Sequence, residues 1–224
     1  MAKQIRVIVY ATCVGLVIWA YFGLWPLGAV PLHLRYGFLA VILLYLTLLA
    51  SPLYIAFPKL PHKITYLRAR KALGLSAFSF ALLHGITSLN DALGGFNMLI
   101  RLEFPYLWPY LFGYAALGIL TVMAATSTPQ AINRLGKYWK KLHRLIYIAG
   151  TFVLFHVVLI NSSFRLPLLI DLLSLLSLSF LFTLQMYRLN KFAKENYKTL
   201  QNTTFWPYIS AFMLIILMLY TISI

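Results

Sequence analysis

Apolar stretches of about 20 residues recur along this chain, each long enough for a helix to cross a hydrocarbon core roughly 30 Å thick. Seven can be read: Val7–Val30, Tyr36–Phe57, Ala72–Leu89, Tyr106–Thr126, Leu145–Ile160, Leu166–Tyr187 and Phe205–Ile224. The fifth is short only because Leu142 and His143 extend its inner end. With 62% hydrophobic residues, 10% charged ones and a mean hydropathy of +0.83, the composition lies outside that of soluble domains. The fold expected is an all-α integral membrane protein, a helical bundle of about seven transmembrane helices. The first run follows Lys3 and Arg6, yet it is too long for a cleaved leader and no small-residue cleavage site follows, so it is expected to remain as a span.

A net charge of +15 would suggest nucleic-acid binding in a soluble protein, but here the cations lie between apolar runs and topology explains them. Lys3 and Arg6 precede the first run; Lys59, Lys63, Arg68, Arg70 and Lys71 lie between the second and third. Arg134, Lys137, Lys140, Lys141 and Arg144 lie between the fourth and fifth, and Arg188, Lys191, Lys194 and Lys198 follow the sixth. Only Arg35, Arg101 and Arg165 fall on the other side. The positive-inside rule therefore predicts a cytoplasmic N-terminus and, with seven spans, an outside C-terminus. Trp25, Tyr106, Trp108, Trp139 and Trp206 fall near span ends, where amphipathic rings favour the interface. The single cysteine, Cys13, allows neither a disulfide nor covalent haem attachment through C-x-x-C-H.

Within so apolar a chain, an intramembrane imidazole is a functional hypothesis by default. His84 stands 13 residues after Lys71, and His156 stands 12 after Arg144. On parallel spans both lie about 18–20 Å from the inner edge. Two imidazoles at one depth on different helices are what a haem iron ligated from both faces requires. Beside His84, Ala77, Ala81 and Gly85 form a small-residue stripe that lets a macrocycle or a helix approach, and Gly150 offers similar room in the fifth run. His143 lies about 20 Å farther in, and on an ideal helix it points roughly 140° away from His156. No second histidine matches its depth. What surrounds it is cationic: Arg70, Lys71, Lys137, Lys140, Lys141 and Arg144, donors suited to a phosphate or carboxylate. A flavin mononucleotide phosphate, haem propionates or anionic lipid would each fit. A lone membrane histidine also serves often as an interhelical hydrogen-bond partner, and His33 and His62 are expected in loops.

The segment Arg70-Lys71-Ala72-Leu73-Gly74-Leu75 with Leu82-Leu83-His84 resembles the third helix of the ferric-reductase-like transmembrane domain. A second stretch carries Thr126-Ser127-Thr128, Leu135-Gly136-Lys137, Trp139-Lys140-Lys141-Leu142-His143-Arg144-Leu145-Ile146-Tyr147 and then His156. With His33-Leu34-Arg35-Tyr36-Gly37, the likeness covers residues 30 to 165 and is strongest to the haem-binding subunits of periplasmic methionine sulfoxide reductase systems. It implies a six-helix haem b core in residues 1–200 and a multi-pass place in a bacterial-type inner (plasma) membrane; the seventh apolar run departs from that six-helix pattern and is expected to form an additional helix in 201–224. It further implies bound haem b and FMN, a cytoplasmic flavin reductase or membrane quinol as donor, and an extracytoplasmic oxidoreductase as acceptor. By matched position His84, His143 and His156 would be the cofactor residues.

The function expected is that of an electron-transfer subunit rather than a complete enzyme, since no soluble flavin domain, G-x-G-x-x-G or Walker motif is present. The alternatives are a ferric or oxygen reductase-type cytochrome, a transporter, or an assembly subunit. Transport is weakened by the position of the four acidic residues, Asp91, Glu103, Asp171 and Glu195, which all fall in loops or near span ends.

Overall fold

A computed structural model describes residues 2–22, 30–104, 106–160 and 168–196. The described residues are helical, with no strand among them. Helix α1 is Ala2–Tyr21, α2 Leu32–Ala56 and α3 Lys63–Thr87, the last continued by a π-turn, Ser88–Ala92. Short α4, Phe96–Leu99, precedes α5, Leu107–Ala125; α6 is Pro129–Leu135 and α7 Lys137–Leu142. A 3₁₀ turn, His143–Leu145, leads into α8, Ile146–Ile160, and α9 is Leu168–Asn196.

Among the described residues, five helical segments are long and apolar enough to cross a membrane: Lys3–Tyr21, Leu32–Ala56, Lys63–Ala92, Leu107–Ala125 and Lys137–Ile160. They correspond to the first five expected spans. The sixth expected span falls on α9, while the seventh, Phe205–Ile224, lies outside the described residues. The expected boundary at residues 200/201 lies outside them too. Two boundaries shift. Helix α1 begins before the apolar run, at Ala2, because Lys, Gln and Arg are good helix formers and nothing breaks the helix before Val7. Helix α3 likewise begins nine residues before Ala72, so Lys63, Arg68, Arg70 and Lys71 ride on its first turns instead of in a loop.

The chain divides into two compact units, residues 1–47 with 68–159, and 48–67 with 160–224. In the first, α2 and α3 pack through small residues: Ala72 and Ala77 are buried, and a methyl added to Gly74 would meet the Thr47 methyl at 3.5 Å. Phe80 is among the largest fully buried side chains, with the Tyr36 ring 6.3 Å from it. Gly85 lets α3 meet Leu117 of α5. Phe112 of α5 meets Phe152 and Phe155 of α8 at 5.7 and 5.3 Å. Val7, Ile8, Val14 and Ile18 on α1 are exposed, an apolar face suited to lipid. At the start of α2, Arg35 donates to the carbonyls of Val30 and Ala20, capping the end of α1.

In the second unit, Pro52 sits fully buried inside α2. Proline has no N–H, so the carbonyl four residues back, Leu48, loses its helical donor. Gln185 of α9 supplies one, its Nε2 donating to that carbonyl at 3.1 Å. A neighbouring helix thus repairs the break, as an apolar surrounding demands. Gln185→Leu should lower the stability of the detergent-solubilised protein by about 1–2 kcal/mol. Pro52→Ala restores a backbone donor and should recover most of that loss in the double variant, as read from thermal unfolding of all four proteins.

Candidate functional site

The structure brings His84 and His156 together. Their ring centroids are 5.8 Å apart and their planes cross at 68°. His84 comes from the last turn of α3 and His156 from the last third of α8. Each ring is tied by its inner nitrogen to a third and a fourth helix. Nδ1 of His84 bonds the His33 carbonyl on α2 at 2.7 Å, and Nδ1 of His156 bonds the Pro109 carbonyl on α5 at 2.7 Å. A carbonyl can only accept, so Nδ1 carries the proton in both rings. A neutral imidazole in that tautomer presents its lone pair at Nε2. Among the described residues neither Nε2 has a hydrogen-bond partner. The pair thus presents two nitrogens whose lone pairs are available, each ring oriented by a backbone carbonyl behind it.

His143 sits differently. Its Nε2 lies 3.3 Å from Thr126 Oγ1, and its ring stacks on Trp139 with centroids 4.1 Å apart. Thr126 has one hydroxyl proton, given to the Val122 carbonyl at 2.8 Å, so towards His143 the hydroxyl accepts and Nε2–H donates. His143 therefore has the opposite tautomer from the other two. The 3₁₀ turn that begins at His143 also breaks the ideal helix on which its angle to His156 was reckoned.

Around His143 the end of α5 is closed by side chains. Thr126 and Ser127 return their hydroxyls to the Val122 and Met123 carbonyls. Trp139 Nε1 donates to the Thr126 carbonyl at 3.0 Å, and Lys71 Nζ to the Ser127 carbonyl at 2.6 Å. Thr128 caps α6, accepting from the Ala131 N–H, with Pro129 at the first helical position. Gly136, at φ 48°, ends α6 and turns the chain into α7. The Thr-Ser-Thr-Pro to Trp-Lys-Lys-Leu-His stretch is thereby a self-capped corner. Of the other cations expected here, Arg70 is half-buried and, like Lys71, lies within electrostatic reach of His143. Lys140, Lys141 and Arg144 are exposed, and Lys141 lies over the Tyr138 ring at 5.6 Å.

Four contributors were not singled out from sequence: the carbonyls of His33 and Pro109, and Gly37 and Gly113. His33 was expected in a loop, but it lies in the first turn of α2, where its backbone serves His84 and its ring is 6.5 Å from the His84 ring. Gly37 stood in the quoted His-Leu-Arg-Tyr-Gly segment with no role attached. Nothing local marks a carbonyl as a ligand's partner, so only the helix packing reveals these groups. Trp139→Phe keeps a ring against His143 and removes the donor to Thr126; it should cost about 1 kcal/mol in detergent unfolding.

Residues 36–163 match the family of the ferric reductase like transmembrane component. The chain is 34% identical over 168 residues to the protein-methionine-sulfoxide reductase heme-binding subunit MsrQ of Xanthomonas axonopodis pv. citri, covering 70% of this chain and 74% of that protein. To proteins of the same name from Brucella ovis and Brucella melitensis it is 35% identical over 139 residues, 59% of this chain and 60% of theirs. The chain thus spans three quarters of the first relative and less than two thirds of the other two. No solved structure matches it.

Proposed function

Because this chain belongs to the ferric reductase like transmembrane family, we propose that it is a haem-binding electron-transfer subunit in which His84 and His156 hold one haem b from opposite faces. The observation that carries this reading is the crossed pair of rings with Nδ1 held and Nε2 free. The fit can be tested by length. With metal–imidazole bonds of about 2 Å and about 1.1 Å from Nε2 to each ring centre, two rings sharing one iron need centroids about 6.2 Å apart. The observed 5.8 Å is within half an ångström of that. Bound there, haem would supply a one-electron ferric/ferrous couple within the membrane.

The chain's own groups then have definite tasks. Neutral carbonyls behind both rings keep them as neutral imidazoles, oriented with little freedom. The apolar residues around them exclude water and hold the site at low dielectric, which sets the couple together with ligand type. The inner cationic level, with Arg70, Lys140, Lys141 and Arg144 beside His143, is the place for an FMN phosphate or for docking of an acidic flavin reductase; Lys71 is committed to the Ser127 carbonyl. The electron path proposed runs from that cytoplasmic donor, or from membrane quinol, through the haem to a methionine-sulfoxide reductase subunit outside. The name of the relatives at 34–35% identity supports that acceptor.

His84→Ala and His156→Ala should each abolish the reducible b-type Soret and α bands of this haem. His33→Ala should retain them, because its contribution is a main-chain carbonyl. Pyridine haemochrome quantitation after haem-supplemented expression decides this, and full haem in His84→Ala would overturn the pairing. Lys140→Glu with Lys141→Glu should slow reduction by a cytoplasmic flavoprotein several-fold at low salt, with haem content unchanged and the difference shrinking as salt rises. Stopped-flow reduction across ionic strengths measures it.

A further inference from the structure

The two histidines share a second feature. Behind His84, a methyl built on Gly37 would stand 2.9 Å from Nδ1 and 3.1 Å from Cε1. Behind His156, a methyl on Gly113 would stand 2.8 Å from Nδ1 and 2.9 Å from Cε1. Both lie inside van der Waals contact, so any side chain there must push the ring away. Each glycine follows the carbonyl that accepts the same ring's proton by four residues: His33 then Gly37 on α2, Pro109 then Gly113 on α5. In an α-helix the carbonyl of residue i takes the N–H of residue i+4, so each of these oxygens uses one lone pair on its glycine and the other on an imidazole.

The surrounding sequences, His-Leu-Arg-Tyr-Gly and Pro-Tyr-Leu-Phe-Gly, share little besides the spacing. Two helices thus build the same saddle independently, once behind each ring. A hydrogen bond alone leaves an imidazole free to rock about its Cβ–Cγ bond. The saddle removes that freedom, because the ring edge rests against the bare helix backbone between carbonyl and glycine. Gly118, on the same helix as Gly113, has nothing within 4 Å of an added methyl, and at Gly85 the nearest atom is a leucine methyl at 3.1 Å, so approaches under 3.0 Å fall at the ring positions.

We propose that Gly37 and Gly113 are positioning residues, which hold the imidazoles of His84 and His156 crossed at the steep angle seen between them. This rests on the reading that one haem is held between these rings. Axial imidazoles crossed near a right angle give low-spin ferric haem a highly anisotropic electron paramagnetic resonance signal dominated by one large-g feature. Near-parallel rings give a rhombic signal with three resolved features. The ring angle is therefore readable in solution.

The test uses the full-length protein in detergent, loaded with haem, with resonance spectra at low temperature and midpoint potentials by redox titration. The wild-type protein should give the highly anisotropic signal. Gly37→Ala and Gly113→Ala should each keep low-spin haem with the large-g feature displaced and the midpoint potential moved, while Gly118→Ala matches wild type in both. A rhombic wild-type signal overturns the proposal. So do alanine variants at 37 and 113 with full haem and unchanged spectra and potential, or a Gly118→Ala shift as large as theirs. Should the alanine variants bind no haem, the wild-type signal decides alone, the anisotropic form supporting the proposal and the rhombic form overturning it. A wild-type protein without a Soret band removes the haem reading and this inference with it, whereas a rhombic signal from haem-loaded protein removes only the inference.

Discussion

Inside an apolar slab no water is present to satisfy a polar group, so every N–H, carbonyl and imidazole nitrogen must find its partner within the chain. That requirement organises the described parts of this protein. Where Pro52 strips the Leu48 carbonyl of its donor, Gln185 replaces it. Where α5 ends, the hydroxyls of Thr126 and Ser127, the Trp139 indole and the Lys71 ammonium take up its last carbonyls and the two that follow. Where His84 and His156 enter the first unit, helix carbonyls hold one nitrogen of each ring. The other nitrogen of each ring is the exception among these groups. A lone pair left without a donor there is open to a ligand.

The cations also divide by what they touch. Arg35 stood on the sparsely charged side of the predicted topology, and the structure gives it two carbonyls at the junction of α1 and α2. Lys71, counted with the inner basic residues, spends its charge on one carbonyl at a helix end, where a cation complements the dipole. Lys140, Lys141 and Arg144 stay exposed. A charge count alone treats all of these alike, yet only the exposed ones are free to meet a partner.

The first five spans could be read from the sequence because a helix in lipid is written as a continuous apolar run, and the nearness of His84 to His156 could be read because depth follows from residue count at 1.5 Å each. Helix starts were less legible. The inner turns of α3 are basic, and hydropathy ends there although the helix does not. Angular relations depend on an unbroken helix, and a 3₁₀ turn between α7 and α8 changes the phase that an ideal helix would give His143 against His156. The partners of the rings were beyond reach. A backbone carbonyl has the same identity in every residue, and Gly37 and Gly113 look like ordinary small residues of packed spans until a neighbouring helix lays a ring on them.

The three intramembrane histidines are therefore separated by tautomer as well as by position. His84 and His156 are protonated at Nδ1 by the demand of carbonyls, which frees the outward nitrogen. His143 is protonated at Nε2, because the only hydroxyl proton of Thr126 is already used within α5. To ligate a metal through Nε2, His143 would have to give up the Thr126 bond and lift from the Trp139 face against which it stacks. The same two contacts keep it where Arg70 and Lys71 act on it, at the corner that joins α5 to α7. Its Nε2 is engaged within that corner, the exposed cations nearby are open to anions and partners, and the imidazole nitrogens left without a hydrogen-bond partner at Nε2 are those of the outer pair.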